Sequence, residues 1–322
     1  MPFTWPLRNK RSMRILVTGG AGFIGSHVVD AYLADGHEVA VLDNLEDGSR
    51  ENLNSRAHFF DADIRDARLV TAAFGHFRPD VVSHHAAHIH VVRSFEDPAH
   101  DAEVNIVGSL NVWKAACDHG ARRFIFASSG GAIYGPPKAL PVSEAQTPAP
   151  LSPYGLSKWT FERFLMLPTN GPGPVPVILR YANVYGPRQG SRGEAGVISI
   201  FARRLLEGRP CMIYGDGTMT RDYVFVADVV AANQVALFGG DRGVFNIGTG
   251  EQTSTRHLFH LLCDLTGRAG TQPEYTPERG GEVRRICLDA AKARRELDWA
   301  PKHTLTDGLV RVVSSLGGPS PA

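Results

Sequence analysis

The chain has little of what marks several large protein classes. It has only 4 cysteines in 322 residues. Cys117, Cys211, Cys263 and Cys287 are scattered without metal or disulfide spacing, which argues against a disulfide scaffold or zinc module and suits a reducing cytoplasm. The formal net charge is +1, so no field of one sign favours nucleic acid or a membrane surface. Nothing approaches the run of ~20 apolar residues that a membrane span needs. There is no internal repeat and no low-complexity tract. Arg8, Lys10, Arg11 and Arg14 make the N-terminus basic, but no signal-type apolar core follows them, and Met1 to Met13 read as a frayed tail. What is present is a 43% hydrophobic composition, enough for a large core in two lobes or one large domain.

The rest is organised around Arg14-Ile-Leu-Val-Thr-Gly-Gly-Ala-Gly-Phe-Ile-Gly25. Ile15 to Val17 suit a buried parallel strand. Gly19, Gly22 and Gly25 follow at a spacing of three, and then an apolar helical face with Phe23, Ile24, Val28, Ala31, Tyr32 and Leu33. Strand, glycine turn and helix make a cradle for a dinucleotide pyrophosphate, because glycine lets the backbone approach and the helix N-terminus offers N–H donors. A second strand, Glu38 to Leu42, ends in Asp43, near the position where a carboxylate takes ribose hydroxyls. Asp43 would repel a 2′-phosphate, and Asn44 and Leu45 bring no positive charge, so the expected cofactor is NAD.

Further strands alternate with helical stretches, which implies a doubly wound parallel α/β sheet. His58 to Asp63 read as a third strand, Asp66 to Phe77 as a helix, Pro79 to Ala87 as a strand and its exit, Asp101 to His119 as one long helix with Gly120 at its C-terminal cap, and Arg123 to Ala127 as a strand leaving through Ser128 and Ser129. His84, His85, His88 and His90 could ligate zinc, but no cysteine or carboxylate lies at ligand spacing. They are read as lining a cofactor cleft, with no metal expected. Tyr154 opens a helix, and Lys158 lies one turn later on the same face. An ammonium beside a phenol lowers the phenol pKa, which makes Tyr154 a candidate general base. Ser129 would hydrogen-bond the same substrate oxygen.

Taken in order, several motifs resemble the extended short-chain dehydrogenase/reductase family, specifically the nucleotide-sugar 4-epimerases. They are Thr18 to Gly25, Asp63-Ile64, His85-Ala-Ala87, Asn105 to Gly108, Ser128-Ser129 through Tyr134-Gly135, Tyr154-x-x-x-Lys158, Leu179 to Arg188, Gly215 to Val224, Phe245 to Thr249 and Arg279-Gly-Gly-Glu282. The resemblance implies a Rossmann domain over residues 1–187 with return segments about 213–250. It also implies a smaller UDP-sugar lobe over 188–212 and 251–322. Cofactor contacts would come from Gly19, Gly22, Phe23, Ile24, Gly25, Asp43, Asn44, Asp63, Ile64, His85, Ala86, Ala87, Asn105, Ser128, Tyr154, Lys158 and Tyr181. Substrate contacts would come from Ser129, Gly130, Gly131, Tyr154, Asn183, Val197 and Glu282, with Arg221 and Arg279 on the diphosphate, where guanidinium forks suit phosphate oxygens. Families of this kind dimerise through the Asp101–His119 and Tyr154 helices as a four-helix bundle.

Dehydratase relatives carry an Asp-Glu pair directly after the strand-exit Ser/Thr, and decarboxylase relatives a Glu. Gly130 and Gly131 stand there in this chain, which favours C4 epimerisation through a transient 4-keto sugar over either alternative or a non-catalytic NAD-sensing protein. For the sugar, Arg192 in a glycine-rich loop and Arg93 after the fourth strand point toward a C6 carboxylate, hence UDP-glucuronate/UDP-galacturonate. UDP-glucose/UDP-galactose is the alternative. Ile286, at the position that gates bulk at C2, leaves a 2-acetamido sugar open.

Overall fold

The computed structural model describes residues 12–168, 173–190, 196–278 and 283–319. The first half runs β1 (Arg14–Thr18), α1 (Phe23–Ala34), β2 (Glu38–Asp43), β3 (His58–Asp61), α2 (Ala67–Phe77), β4 (Val81–His84), α3 (Val91–Glu96), α4 (Pro98–Ala102), a π-helical turn (Glu103–Gly108), α5 (Ser109–Asp118), β5 (Arg123–Ser129), α6 (Gly130–Ile133) and α7 (Pro153–Met166). It continues through β6 (Val175–Tyr181), β7 (Asn183–Tyr185), α8 (Val197–Leu206), β8 (Met212–Tyr214), β9 (Thr220–Arg221), β10 (Tyr223–Phe225) and α9 (Val226–Ala236). The last elements are β11 (Gly243–Ile247), β12 (Thr253–Ser254), α10 (Thr255–Leu265), β13 (Glu274–Thr276), α11 (Ala291–Leu297) and α12 (Leu305–Ser315).

Seven parallel strands form the central sheet in the order β11-β6-β5-β4-β1-β2-β3. This is the expected α/β fold. Successive side chains on a strand point to opposite faces, and the apolar strands divide accordingly. Ile15, Val17, Val39, Val41, Ile125, Val177 and Leu179 join one core cluster. Leu16, Ala40, Leu42, Val82, Phe124, Phe126 and Ile178 join the other. Burial on both faces explains why these strands read as continuous apolar runs. A third cluster, with Ile198, Phe201 and Leu205 of α8, Leu258, Phe259 and Leu262 of α10, and Leu309, Val312 and Val313 of α12, makes a smaller body of its own.

The strand order reverses at β1. The chain lays β2 and β3 on one side of it, and β4, β5, β6 and β11 on the other. The crevice beyond the carboxyl ends of β1 and β4 is therefore the ligand position for such a sheet.

Four expectations change. Met13 is not frayed: it is buried, and its carbonyl accepts the Glu38 N–H at 3.0 Å. Residues 1–11 lie outside the described residues. The expected long helix from Asp101 is continuous but not α-helical throughout: it widens into the π-helical turn at Glu103–Gly108. There Gly108 lets the helix lie on Ile64, whose Cγ1 would stand 2.7 Å from an added Cβ. The third strand stops at Asp61, which leaves Asp63 in the loop beyond it. Ala290, Ala293, Leu297 and Trp299, placed by sequence in the smaller lobe, pack into the core under the sheet.

Candidate active site

The glycine turn is built by close contact. Gly19 has φ +69°, and a Cβ on it would stand 2.5 Å from the Ala86 nitrogen, a backbone position that only glycine fills without strain. A Cβ on Gly25 would strike the Gly19 carbonyl. Gly22 is the N-cap of α1, and no side chain caps that helix, so its first N–H groups face the groove as an anion site. At the end of β2, Asp43 is buried. It accepts the Ala21 N–H at 3.0 Å and the Leu45 N–H at 2.8 Å, and burial raises its carboxyl above the usual range. An uncapped helix start, a turn that an added Cβ would fill, and a carboxylate on the neighbouring strand fit a dinucleotide. Phe23 and Ile24 open α1 half-buried. Beyond β3, Asn44 donates to Asp63 at 2.9 Å. Arg65 donates to both Asp63 oxygens, at 3.0 and 2.7 Å, and these bonds hold the Asp63 carboxyl down at about 2. Ile64 is buried beside it.

Three elements bring the proposed chemistry together at the end of β5. Ser152 accepts the Gly155 N–H at 3.1 Å as the N-cap of α7, with Pro153 in the first turn, a favoured helix start. Gly155 lets α7 close on α6, since a Cβ there would strike the Ala132 carbonyl. Half-buried Tyr154 donates its backbone N–H to Ser94 Oγ at 3.2 Å. Lys158 is buried. Its ammonium donates to the Ala127 carbonyl at 3.1 Å and lies 4.8 Å over the Phe126 ring. Burial lowers its pKa to about 8, opposed by the charges of Asp101 and Glu162. That carbonyl lies two residues before Ser129, so Ser129, Tyr154 and Lys158 share one edge of the sheet.

Several residues expected on the cofactor have partners within the protein. Ser128 is buried and donates to Glu162 at 2.6 Å, so its hydroxyl is not open to a ligand. Asn105, on the π-helical turn, accepts the His88 N–H and donates to the His88 carbonyl, Asp101 and Ser157. It thus clasps the exit of β4 to α7. Tyr181 is buried in the core, and its hydroxyl accepts from Asn233 at 2.8 Å. His85 stacks on Tyr181 with 6.5 Å between centroids, and its Nε2 pairs with Ser83 at 2.9 Å. Burial, and then the charge of Lys158, push it down to about 3, so it stays neutral. Ala86 and Ala87 line the turn half-buried. His84, expected at a cleft mouth, is instead fully buried between Thr18 and Ser109, at 2.6 and 2.9 Å.

Sequence reasoning missed two buried networks. Arg180 donates to both Glu162 oxygens and to the Tyr134 hydroxyl, which donates on to Asn246 at 2.7 Å. Asp222 is also buried, and accepts from the Thr249 N–H and hydroxyl, the Gly250 N–H and the Leu288 N–H at 2.6–3.1 Å. The signal was an ionisable residue inside an apolar strand, Arg180 in β6, and an acid directly after a motif arginine.

On the substrate side, Gly130 packs against Leu288, whose Cδ1 would stand 2.4 Å from an added Cβ, so a side chain there would require Leu288 to shift. Gly131 faces Asn183, whose Oδ1 would lie 3.6 Å from a Cβ. Val197 is half-buried at the start of α8. Arg221 is half-buried in β9, where its guanidinium donates to the Thr220 carbonyl at 3.0 Å, one residue from the Asp222 network. Ile286 is buried in the core. Arg93 is not in a loop: it sits exposed on α3, lining a small cleft with Glu46, Asp47, Glu96 and Asp97. Arg192, Arg279 and Glu282 lie outside the described residues.

The sequence and the fold have counterparts in known proteins. A UDP-glucose 4-epimerase of Mycolicibacterium smegmatis is 47% identical over 309 residues, 94% of this chain and 97% of that protein. The structure of a Thermotoga maritima UDP-glucose 4-epimerase with UDP-glucose superposes with TM-score 0.93 at 47% identity, over 95% of this chain and 99% of the other. That of a Thermus thermophilus UDP-glucose 4-epimerase with NAD superposes with TM-score 0.89 at 46% identity, over the same shares. The sequence model of the NAD dependent epimerase/dehydratase family matches residues 15–248, a span that carries the glycine turn, Asp43, Ser129, Tyr154 and Lys158. The chain belongs to the NAD dependent epimerase/dehydratase family.

Proposed function

We propose that the chain is a UDP-sugar 4-epimerase interconverting UDP-glucose and UDP-galactose. The observation that carries the reaction type is the pair Gly130-Gly131 directly after Ser129. Leu288 fills the space where a side chain at Gly130 would go, and neither glycine can supply the additional acid that dehydration or decarboxylation relatives place there. The names of relatives 46–47% identical over nearly their whole length support the neutral hexose. They favour it over the UDP-glucuronate expected from Arg93 and Arg192. Arg93 also shares its cleft with four carboxylates, a poor receptor for an acidic sugar.

Bound NAD supplies the hydride acceptor and donor, so oxidation and reduction at C4 cancel over one turnover. Tyr154 takes the C4 hydroxyl proton and returns it once the keto sugar has presented its other face. Ser129 orients that oxygen. Lys158, cationic at neutral pH and one turn from Tyr154, favours the phenolate. Arg221 and Asn183 hold the diphosphate, a role the motif resemblance also gives Arg279.

For the assembly we infer a homodimer through α7 and the α4–α5 region. Support comes from Phe95, Val107, Leu151, Leu156 and Phe164, which are 40–55% exposed on those elements and the segments beside them. Incubation with UDP-glucose should yield its C4 epimer by NMR, and Tyr154→Phe should retain under about a tenth of the rate. UDP-glucuronate turned over with the higher kcat/KM would restore the acidic reading. NAD binding without any epimer would support the sensing protein instead.

A further inference from the structure

Three histidines not used by the proposed mechanism gather at one rim of the cofactor groove. The His88 ring lies 5.3 Å from both His90 and His100. His88 Nδ1 pairs with buried Asp101 at 3.2 Å. His90 is 4% exposed, and its Nε2 lies 3.4 Å from each carboxylate oxygen of Asp47. Among the described residues no three His, Cys, Asp or Glu converge on a metal position, so the cluster needs another reading.

The sheet order supplies it. Asp47 lies just beyond β2 and His90 just beyond β4, while β1 runs between those two strands. A contact from Asp47 to His90 therefore spans the exit of β1, where the Gly19–Gly25 turn awaits the dinucleotide. On the other flank, Arg65 reaches His100 at 3.4 Å while gripping Asp63, which Asn44 also binds. The contacts thus join the exits of β2, β3 and β4 around one groove.

We propose that Asp47 and His90 form a proton-dependent clasp across the NAD groove, tightening when the imidazole is charged and slowing exchange of the bound cofactor. This rests on the NAD assignment but not on the identity of the sugar. Imidazole is the side chain whose charge changes near neutral pH. Carboxylates outnumber cations among the groups facing it. Glu46 and Asp47 approach from the β2 exit, Glu96 and Asp97 from the end of α3, and Asp101 from α4 through His88. Against them stand Arg93 on α3 and Arg65 behind His100. Asp47 is 53% exposed in its side chain, so its replacement leaves the core alone.

The test is a chase of the NAD-loaded protein with excess isotopically labelled NAD, following retained light NAD by mass spectrometry. Exchange at about pH 8.5 should exceed that at about pH 5.5 by at least about threefold, given a partly exposed ion pair. Asp47→Asn should exchange fast at both values, with the ratio falling below about 1.5. Glu96→Gln removes the same charge from the same cleft and should keep the parent ratio. A parent without pH dependence, an Asp47→Asn protein that keeps it, or a Glu96→Gln protein that loses it would overturn the clasp. A protein that retains no NAD at any pH would overturn the cofactor assignment as well.

Discussion

Glu162→Gln is the most informative single change away from the reacting groups. Glu162 lies on α7 one turn after Lys158 and is 2% exposed, while its partner Arg180 is 5% exposed. Its oxygens accept from Ser128 at 2.6 Å and from Arg180 Nε at 2.9 and 3.2 Å, with a further bond from Arg180 Nη2. Glutamine keeps the shape but turns an amide N–H₂ toward the guanidinium and leaves that charge buried without a counter-ion. Breaking a buried pair from one side costs about 3–5 kcal/mol, against a typical total of about 5–15 kcal/mol. Urea unfolding of the cofactor-free protein should register that loss, and the thermal midpoint should fall by roughly 4–7 °C. Removing both charges with Glu162→Met and Arg180→Met, together with Ser128→Ala, should recover at least about half of it, because apolar groups of similar volume tolerate such sites. A single variant within about 1 kcal/mol of the parent, or a combined variant no better than the single, would refute the view that this network clamps α7 to β5.

Gly25→Ala should abolish NAD retention on gel filtration while leaving the chain folded by circular dichroism, since the new methyl collides with the Gly19 carbonyl and opens the turn. Arg221→Ala should weaken UDP binding by about 2 kcal/mol or more in calorimetry and leave NAD affinity unchanged; an unchanged UDP affinity removes the arginine from the site. Lys158 makes a pH prediction for the cofactor-free protein. Its folded pKa, about 8, lies below the ordinary 10.5, so between these values the unfolded chain holds the extra proton and stability rises with pH. The gain approaches about 3 kcal/mol, and Lys158→Met should remove that part of the slope in denaturant titrations from about pH 7 to 11.

What could be read from the sequence is what periodicity and local spacing encode. The strand–turn–helix over Arg14–Ala34 and the strands buried on both faces follow from apolar runs and glycine spacing. Tyr154 and Lys158 on one helical face follow from their separation. What escaped is long-range pairing. Ser128 looks like its neighbour Ser129 in sequence, yet they point to opposite faces of a strand, and only the fold shows that Glu162 waits behind one of them. No local pattern shows that the Asn105 amide is bound by His88, Asp101 and Ser157. The π-helical turn was invisible because its residues suit an α-helix equally well. Arg93 was misplaced because a loop and a two-turn helix differ little in composition.

The late return of the chain to the first core has a consequence for biosynthesis. Trp299 donates its indole N–H to the Asp228 carbonyl at 2.9 Å, and Ala293 and Leu297 complete the cluster that includes Ile15 and Val17. A ribosome working from the N-terminus makes all seven strands of the sheet by Ile247, yet one face stays partly bare until α11 emerges. During that interval the nascent chain exposes apolar surface that the finished protein hides, as unfinished folds of this size do. Chain arrested after Ile247 should therefore bind chaperones or aggregate, and release through Asp298 and Trp299 should end that exposure.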